Sequence, residues 1–195
     1  WYQAGQSTLD DTWTSVYIDF GTQDLVATRA RQVLNAEGDA EGVVATDMSL
    51  KALNDFVSNL ELSPSGLAFI IEPDGNLIAS SCSTNVKKDR NGQNTRVNAA
   101  ESEHLLLATI YKQLVPFFSK AQSNTLPVTF YFTDMSGENI HVAFDRFEDG
   151  AGLTWINVVA MPSEDFMQGI SKNVIRTITI GILATILVIV LGLWI

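Results

Sequence analysis

"EGVVATDMSLKALNDFVSNLELSPSGLAFIIEPDGNLIAS", Glu41 to Ser80, changes its hydrophobic period twice, and the fold follows from those changes. "VVATD" reads as a short strand. Through "SLKALNDFVSNLEL", Leu50, Leu53, Phe56, Val57 and Leu60 fall on one helical face, with Ser49 as N-cap. "GLAFII" and "NLIASS" return to strand character around "EPDG", where Pro and Gly supply the turn dihedrals. Strand, helix, strand, turn and strand in that order place this stretch at the join between two sheet units.

Upstream, Thr12–Phe20 and Asp24–Leu34 read as two strands around a tight turn at Gly21, followed by the polar turn "NAEGDAEG". Side chains of a strand alternate faces. In "SVYIDF", Ser15 to Phe20, this sends Val16, Ile18 and Phe20 toward a core and Trp13, Ser15, Tyr17 and Asp19 to the opposite surface. Downstream, Ser81 to Asn98 is polar and reads as a long surface loop. "AAESEHLLLATIYKQLVPFFSK" reads as an amphipathic helix ending near Pro116. Three strands follow, "PVTFYFT", "NIHVAFDRF" and "LTWINVVAM", joined by connections of hairpin length, and Ser163 opens a last helix. From Gly66 onward this is an α+β unit in which one sheet carries helices on one side. The strands before Ser49 read as the end of a second sheet unit.

Hydrophobic residues make up 46% of the chain, enough for a real core, and the net charge of −10 argues against nucleic acid, whose phosphates need clustered Lys and Arg. With one cysteine, Cys82, no disulfide forms within the chain, and no Asn-x-Ser/Thr sequon occurs. "ITIGILATILVIVLGLWI", Ile178 to Ile195, carries no charge and is a candidate transmembrane helix. Lys172 and Arg176 precede it, but one flank does not set orientation.

His104 and His141 lack carboxylate or Cys companions at ligand spacing, so no metal site is expected. Cys82 has no evident base partner. No nucleophile–base set, phosphate loop or catalytic carboxylate pair stands out, so neither an enzyme nor a cofactor is expected within these residues.

The Glu41–Ser80 stretch resembles the centre of a double Cache sensor domain, in which a G-V-V-x-x-D-x-x-L strand leads through a helix into G-x-x-F-I-I-x-x-D-G-x-L-I-A. "WYQA" at the start, Y-x-D at Tyr17–Asp19 and "WINVVAMPSEDFM" near the end fit the same pattern. The resemblance implies PAS-like antiparallel sheet modules: the end of a membrane-distal module over residues 1–48, a connecting helix over 49–62, and a membrane-proximal module over 63–162. A juxtamembrane helix over 163–177 and a transmembrane helix over 178–195 complete the expected organisation. It further implies the extracytoplasmic part of a homodimeric receptor in a cell membrane, binding a small amino acid or amine and relaying a change of shape across the bilayer. A non-signalling module such as a channel auxiliary subunit is the alternative.

The amino-acid-binding subset of that family carries a motif that Trp1, Tyr17, Asp19 and Asp47 match, with Tyr2 adjacent. The motif's Arg falls two positions before Trp1, outside this chain. The chemistry agrees. An ammonium group needs acceptors and a negative field, which two carboxylates supply, and aromatic faces add cation–π attraction. Taken alone, the same residues also suit other roles. Trp1 and Tyr17 could pack, Asp19 could serve the turn before Gly21, and Asp47 could sit at a helix N-terminus near Ser49.

Overall fold

The computed structural model describes residues 1–120 and 127–194. A short helix, α1 (Tyr2–Gln6), precedes a four-stranded antiparallel sheet of β1 (Thr12–Trp13), β2 (Tyr17–Ile18), β3 (Leu25–Leu34) and β4 (Ala40–Ser49). β3 is its spine, pairing with β1 and β2 on one edge and with β4 on the other. Val26, Thr28 and Ala30 share one face with Ser49, Asp47 and Ala45, their partners on β4. α1 lies on that face. A Cβ at Gly5 would collide with Val43 and press on Ala30, so only glycine lets the helix sit so close.

Regular alternation fails between β1 and β2. Trp13 pairs with Arg29, but Tyr17 pairs with Val26, so the outer strand carries one residue more than β3 over this interval. That is a bulge, closed by Thr14 N–H donating to Thr28 O at 2.9 Å and Thr28 N–H donating to Thr14 Oγ1 at 3.1 Å. One extra residue reverses faces. Trp13 and Tyr17, expected side by side, therefore lie on opposite faces of the sheet. Trp13 packs instead against the cluster of Val16, Leu25, Ala27, Leu50 and Ile78, which also takes Ile18. Phe20, expected in the core, is 94% exposed, because the chain turns back from Asp19 to Asp24 before another pairing can form.

α2 (Lys51–Ser58) starts later than Ser49 would place it. Ser49 is still paired with Val26 in the sheet, and Leu50, 2% exposed, takes the N-cap position without a side-chain cap. Its apolar face, with Leu53 and Val57, covers Ala68, Ile70 and Ala79 of the second sheet. That sheet holds β5 (Leu67–Ile71) and β6 (Leu77–Ser80), with β9 (Val128–Thr133), β10 (Asn139–Glu148) and β11 (Thr154–Pro162), in the antiparallel order β6-β5-β11-β10-β9. The expected loop from Ser81 to Asn98 contains a small hairpin, β7 (Val86–Lys88) and β8 (Asn94–Arg96).

α3 (Leu105–Leu114) covers the other face of the second sheet. Leu107, Ile110 and Leu114, all 0% exposed, meet Phe69, Ile71, Val142, Phe144 and Val158 there. His104 caps it, its imidazole Nδ1 accepting from Leu107 N–H at 3.4 Å, so the α-helix begins after a separate 3-10 turn at Ala99–Glu101. α4 (Ser163–Trp194) follows β11 without a break. Among the described residues no helix is long and apolar enough to cross a membrane, and the expected span reaches Ile195, outside them.

Candidate functional site

Three of the side chains on the α1 face of the first sheet form a hydrogen-bonded chain. Thr28 Oγ1 donates to Asp47 Oδ1 at 2.6 Å, and Tyr17 Oη lies 2.8 Å from the same Thr28 oxygen. A hydroxyl has one proton to give. Thr28 gives its proton to the carboxylate, so the Tyr17 hydroxyl must be the donor to Thr28. The relay therefore runs from Tyr17 through Thr28 to Asp47, with every proton turned inward. What remains outward is acceptor only: lone pairs on the Tyr17 oxygen and the second oxygen of Asp47. Asp47 is exposed, and among the described residues no Lys or Arg pairs with it. The arrangement presents negative charge and acceptor oxygens, chemistry suited to a cation bearing N–H groups.

Register makes this trio. Thr28 and Asp47 are directly paired across β3 and β4, and the bulge turns Tyr17 onto their face. Thr28, 0% exposed, was not among the residues that sequence reasoning selected. A hydroxyl at the centre of the apolar run "LVATRA" was the available signal, since a buried hydroxyl needs a partner.

The other selected residues stand differently. Asp19 serves its own turn: Oδ2 accepts from Gly21 N–H at 3.0 Å, Thr22 N–H at 2.7 Å and the Thr22 hydroxyl at 2.9 Å. These bonds, the Thr22 N–H foremost, hold its carboxyl below the usual range. Trp1 and Tyr2 are exposed, 54% and 47%, and meet edge to face at 5.7 Å. They stand at the start of α1, on the helix that covers the Thr28–Asp47 face, but among the described residues no hydrogen bond joins them to Tyr17 or Asp47.

Elsewhere, burial pushes the Cys82 thiol up, which makes it a poor nucleophile. His141 Nε2 lies 3.0 Å from Ser163 Oγ, beside an open cleft of about 550 Å³ on β9 to β11 that Tyr131 and Met161 also line. Among the described residues no group of three His, Cys, Asp or Glu side chains could hold a metal ion.

No protein-family profile matches the chain. The methyl-accepting chemotaxis protein McpC of Bacillus subtilis (strain 168) is 31% identical over 93 residues, which is 46% of this chain and 14% of McpC. Among solved structures, the extracellular domain of mmHK1S-Z2, a proposed histidine kinase, superposes with a TM-score of 0.55 at 15% identity, covering 85% of this chain and 56% of that one. The ligand-binding domain of the Pseudomonas aeruginosa PAO1 amino-acid chemoreceptor PctC, in complex with GABA, gives 0.53 at 20% identity, covering 83% and 60%. That of the Pseudomonas fluorescens chemoreceptor CtaA, in complex with L-serine, gives 0.51 at 21% identity, covering 84% and 60%. The chain thus spans under two thirds of the length of these domains and about a seventh of McpC. Its fold is that of the double Cache ligand-binding domains of chemoreceptors and sensor kinases, with PAS-like antiparallel sheets.

Proposed function

We propose that this chain is the extracytoplasmic ligand-sensing part of a transmembrane signalling receptor, and that it binds a small amino acid or amine on the first sheet. The observation that carries this reading is the inward-directed relay from Tyr17 through Thr28 to Asp47, which leaves an exposed carboxylate and a phenol oxygen as acceptors for an ammonium group. The Tyr17 ring adds a face for cation–π attraction. Trp1 and Tyr2 complete the wall from α1. Asp19 adds negative field, with Oδ2 held by the turn and Oδ1 the oxygen left for a ligand. The solved domains of similar fold in complex with L-serine and GABA support an amino compound as ligand.

Residues 1–48 act in this reading as the end of the distal module and residues 63–162 as the proximal one. Binding shifts an equilibrium between two conformations by the ligand's differential affinity for them. α4, continuous with β11, carries the displacement toward a bilayer, and two copies work as a dimer. The exposed apolar side chains of α4, from Val174 through Ile182 and Ile186 to Leu191, support contact with lipid.

A thermal-shift screen of the full-length protein against the common amino acids and biogenic amines tests this, with Asp47→Ala alongside. A ligand at a hundred times its dissociation constant stabilises by about 2.7 kcal/mol. A hit that Asp47→Ala abolishes supports the reading. Hits that survive the substitution remove Asp47 from the site.

A further inference from the structure

Where the chain leaves β3 at the bulge, it is held by Glu72, which directly follows β5, and by Arg96 of β8. Val16 N–H donates to Glu72 Oε1 at 2.9 Å, and Val16 C=O accepts from Arg96 Nη1 at 2.8 Å. Glu72 and Arg96 also pair with each other through Oε2 and Nη1, and Arg96 Nη2 donates to Leu77 O at 3.2 Å. Their side chains are 12% and 14% exposed, so the pair is largely out of water. Trp13 supplies a second tie. Its indole Nε1 donates to Asp149 Oδ2 at 2.5 Å and its N–H to Ala151 O at 3.2 Å. The Trp13–Val16 segment is therefore bonded on both sides: to β3 through Thr14 and Thr28, and through Val16 and Trp13 to the end of β5, to β8 and to the turn after β10.

We infer that Glu72 and Arg96 are positioning residues for the proposed ligand site. They hold both backbone groups of Val16 and so fix the bulge that decides on which face its neighbour, Tyr17, stands. The inference rests on reading Tyr17 and Asp47 as ligand contacts. A bulge has no fixed place unless something pins it, and a one-residue slip carries a side chain to the opposite face. Glu72 offers an acceptor and Arg96 a donor at the spacing of one residue's N–H and C=O, which pins the bulge from outside the sheet, beside the Thr14–Thr28 bonds within it. Coupling between two sites is reciprocal. A ligand that draws Tyr17 against Asp47 loads Val16 against Glu72, which directly follows β5. β5 pairs with β11, and β11 runs into α4. The bonded route from the site to the terminal helix is therefore short and passes through this pair.

Removing one partner alone strands a buried charge, and that variant can fail to fold. The informative variant is Glu72→Leu with Arg96→Met, which replaces the pair by apolar side chains of similar length, a change that folds often tolerate. Glu72→Gln with Arg96→Met, which keeps an acceptor for Val16 N–H and leaves no lone buried charge, is its companion. Two readouts are taken on the full-length protein: amide hydrogen exchange over residues 12–18, and titration with L-serine, GABA and L-arginine.

In the double variant, exchange over 13–17 rises by roughly tenfold or more while β10 and β11 stay protected. The dissociation constant of whichever probe binds the wild type rises by a similar factor. Glu72→Gln with Arg96→Met falls between this double variant and the wild type. A purely structural role would instead speed exchange across the whole second sheet. That result, or unchanged exchange over 13–17 in a folded double variant, overturns the inference. Failure of all three probes against the wild type counts against the amino-acid reading alone, since the exchange measurement decides the positioning role without a ligand.

Discussion

Replacing Thr28 by valine tests the proton bookkeeping of the site. The side chain is 0% exposed and holds two hydrogen bonds, to Tyr17 at 2.8 Å and to Asp47 at 2.6 Å. Valine fills nearly the same volume, so no cavity opens and the change isolates the hydroxyl. Asp47 is exposed and regains water, which leaves the half-buried Tyr17 hydroxyl as the main loss. A neutral hydrogen bond of this kind contributes about 1 kcal/mol net. For a chain of this size that lowers the thermal midpoint by roughly 2–4 °C. The effect on binding is the larger one, because without Thr28 the Tyr17 proton is free to turn outward and meets an ammonium group donor to donor. A penalty of about 1–2 kcal/mol there weakens binding roughly 5–30-fold. Thr28→Ser restores the hydroxyl and most of the affinity. Calorimetric titration with the amino compound that stabilises the wild type reads both variants. Should Thr28→Val bind as tightly as wild type, the inward relay does not organise the site.

Acid stability follows in part from two turn carboxylates. Thr22 N–H, with its hydroxyl, holds Asp19 below its ordinary value of 3.8, and the Ser136 hydroxyl, with Glu138 N–H, does the same for Asp134. A depressed folded value contributes stability that is fully present above 3.8 and is lost as pH falls through the lower folded value. Thermal midpoints between pH 6 and 2 therefore drop mainly below pH 4, and the double variant Asp19→Asn with Asp134→Asn flattens that drop; an unchanged acid limb would contradict the assignment. Gly75 and Gly92 make a matched pair, at φ +86° and +79°. Gly92→Ala has open space and carries only the left-handed cost of about 1–2 kcal/mol, whereas Gly75→Ala also drives a Cβ into the Tyr111 ring and adds about 1–3 kcal/mol. Equal midpoints for the two alanine variants would refute the close approach of Tyr111.

Much of the second sheet was legible because its strands alternate cleanly: β10 buries Ile140, Val142 and Phe144, with His141 and Ala143 on the other face. α3 was legible from Leu107, Ile110 and Leu114, which recur at helical spacing. The β7–β8 hairpin was not, since "VKK" and "NTR" have no apolar period; backbone pairing and long-range contacts hold it, Val86 on the Val16 cluster and Arg96 on Glu72. At the candidate site, Tyr17 and Asp47 were named through the motif of the family the sequence resembles. Their connection could not be read, because it depends on a register between distant strands and on a bulge that no local propensity encodes. The bulge also explains why simple alternation misplaced Trp13. Phe20 was misplaced for a different reason: the six-residue turn from Asp19 to Asp24 is organised by the Asp19 carboxylate, so Phe20 sits at its exposed tip.

The most direct test of the central claim compares two ligands that differ only in the ammonium group. GABA and butyrate share a chain length and a carboxylate. Each is titrated against the full-length protein and against Asp47→Asn, which keeps the shape of the side chain and removes its charge. The same comparison is run with L-serine and its deaminated analogue, 3-hydroxypropionate. The account predicts that an amino compound binds the wild type, that its deaminated partner does not, and that Asp47→Asn loses at least tenfold in affinity, about 1.4 kcal/mol. Equal binding of the amine and its deaminated partner, or full affinity in Asp47→Asn, would contradict it.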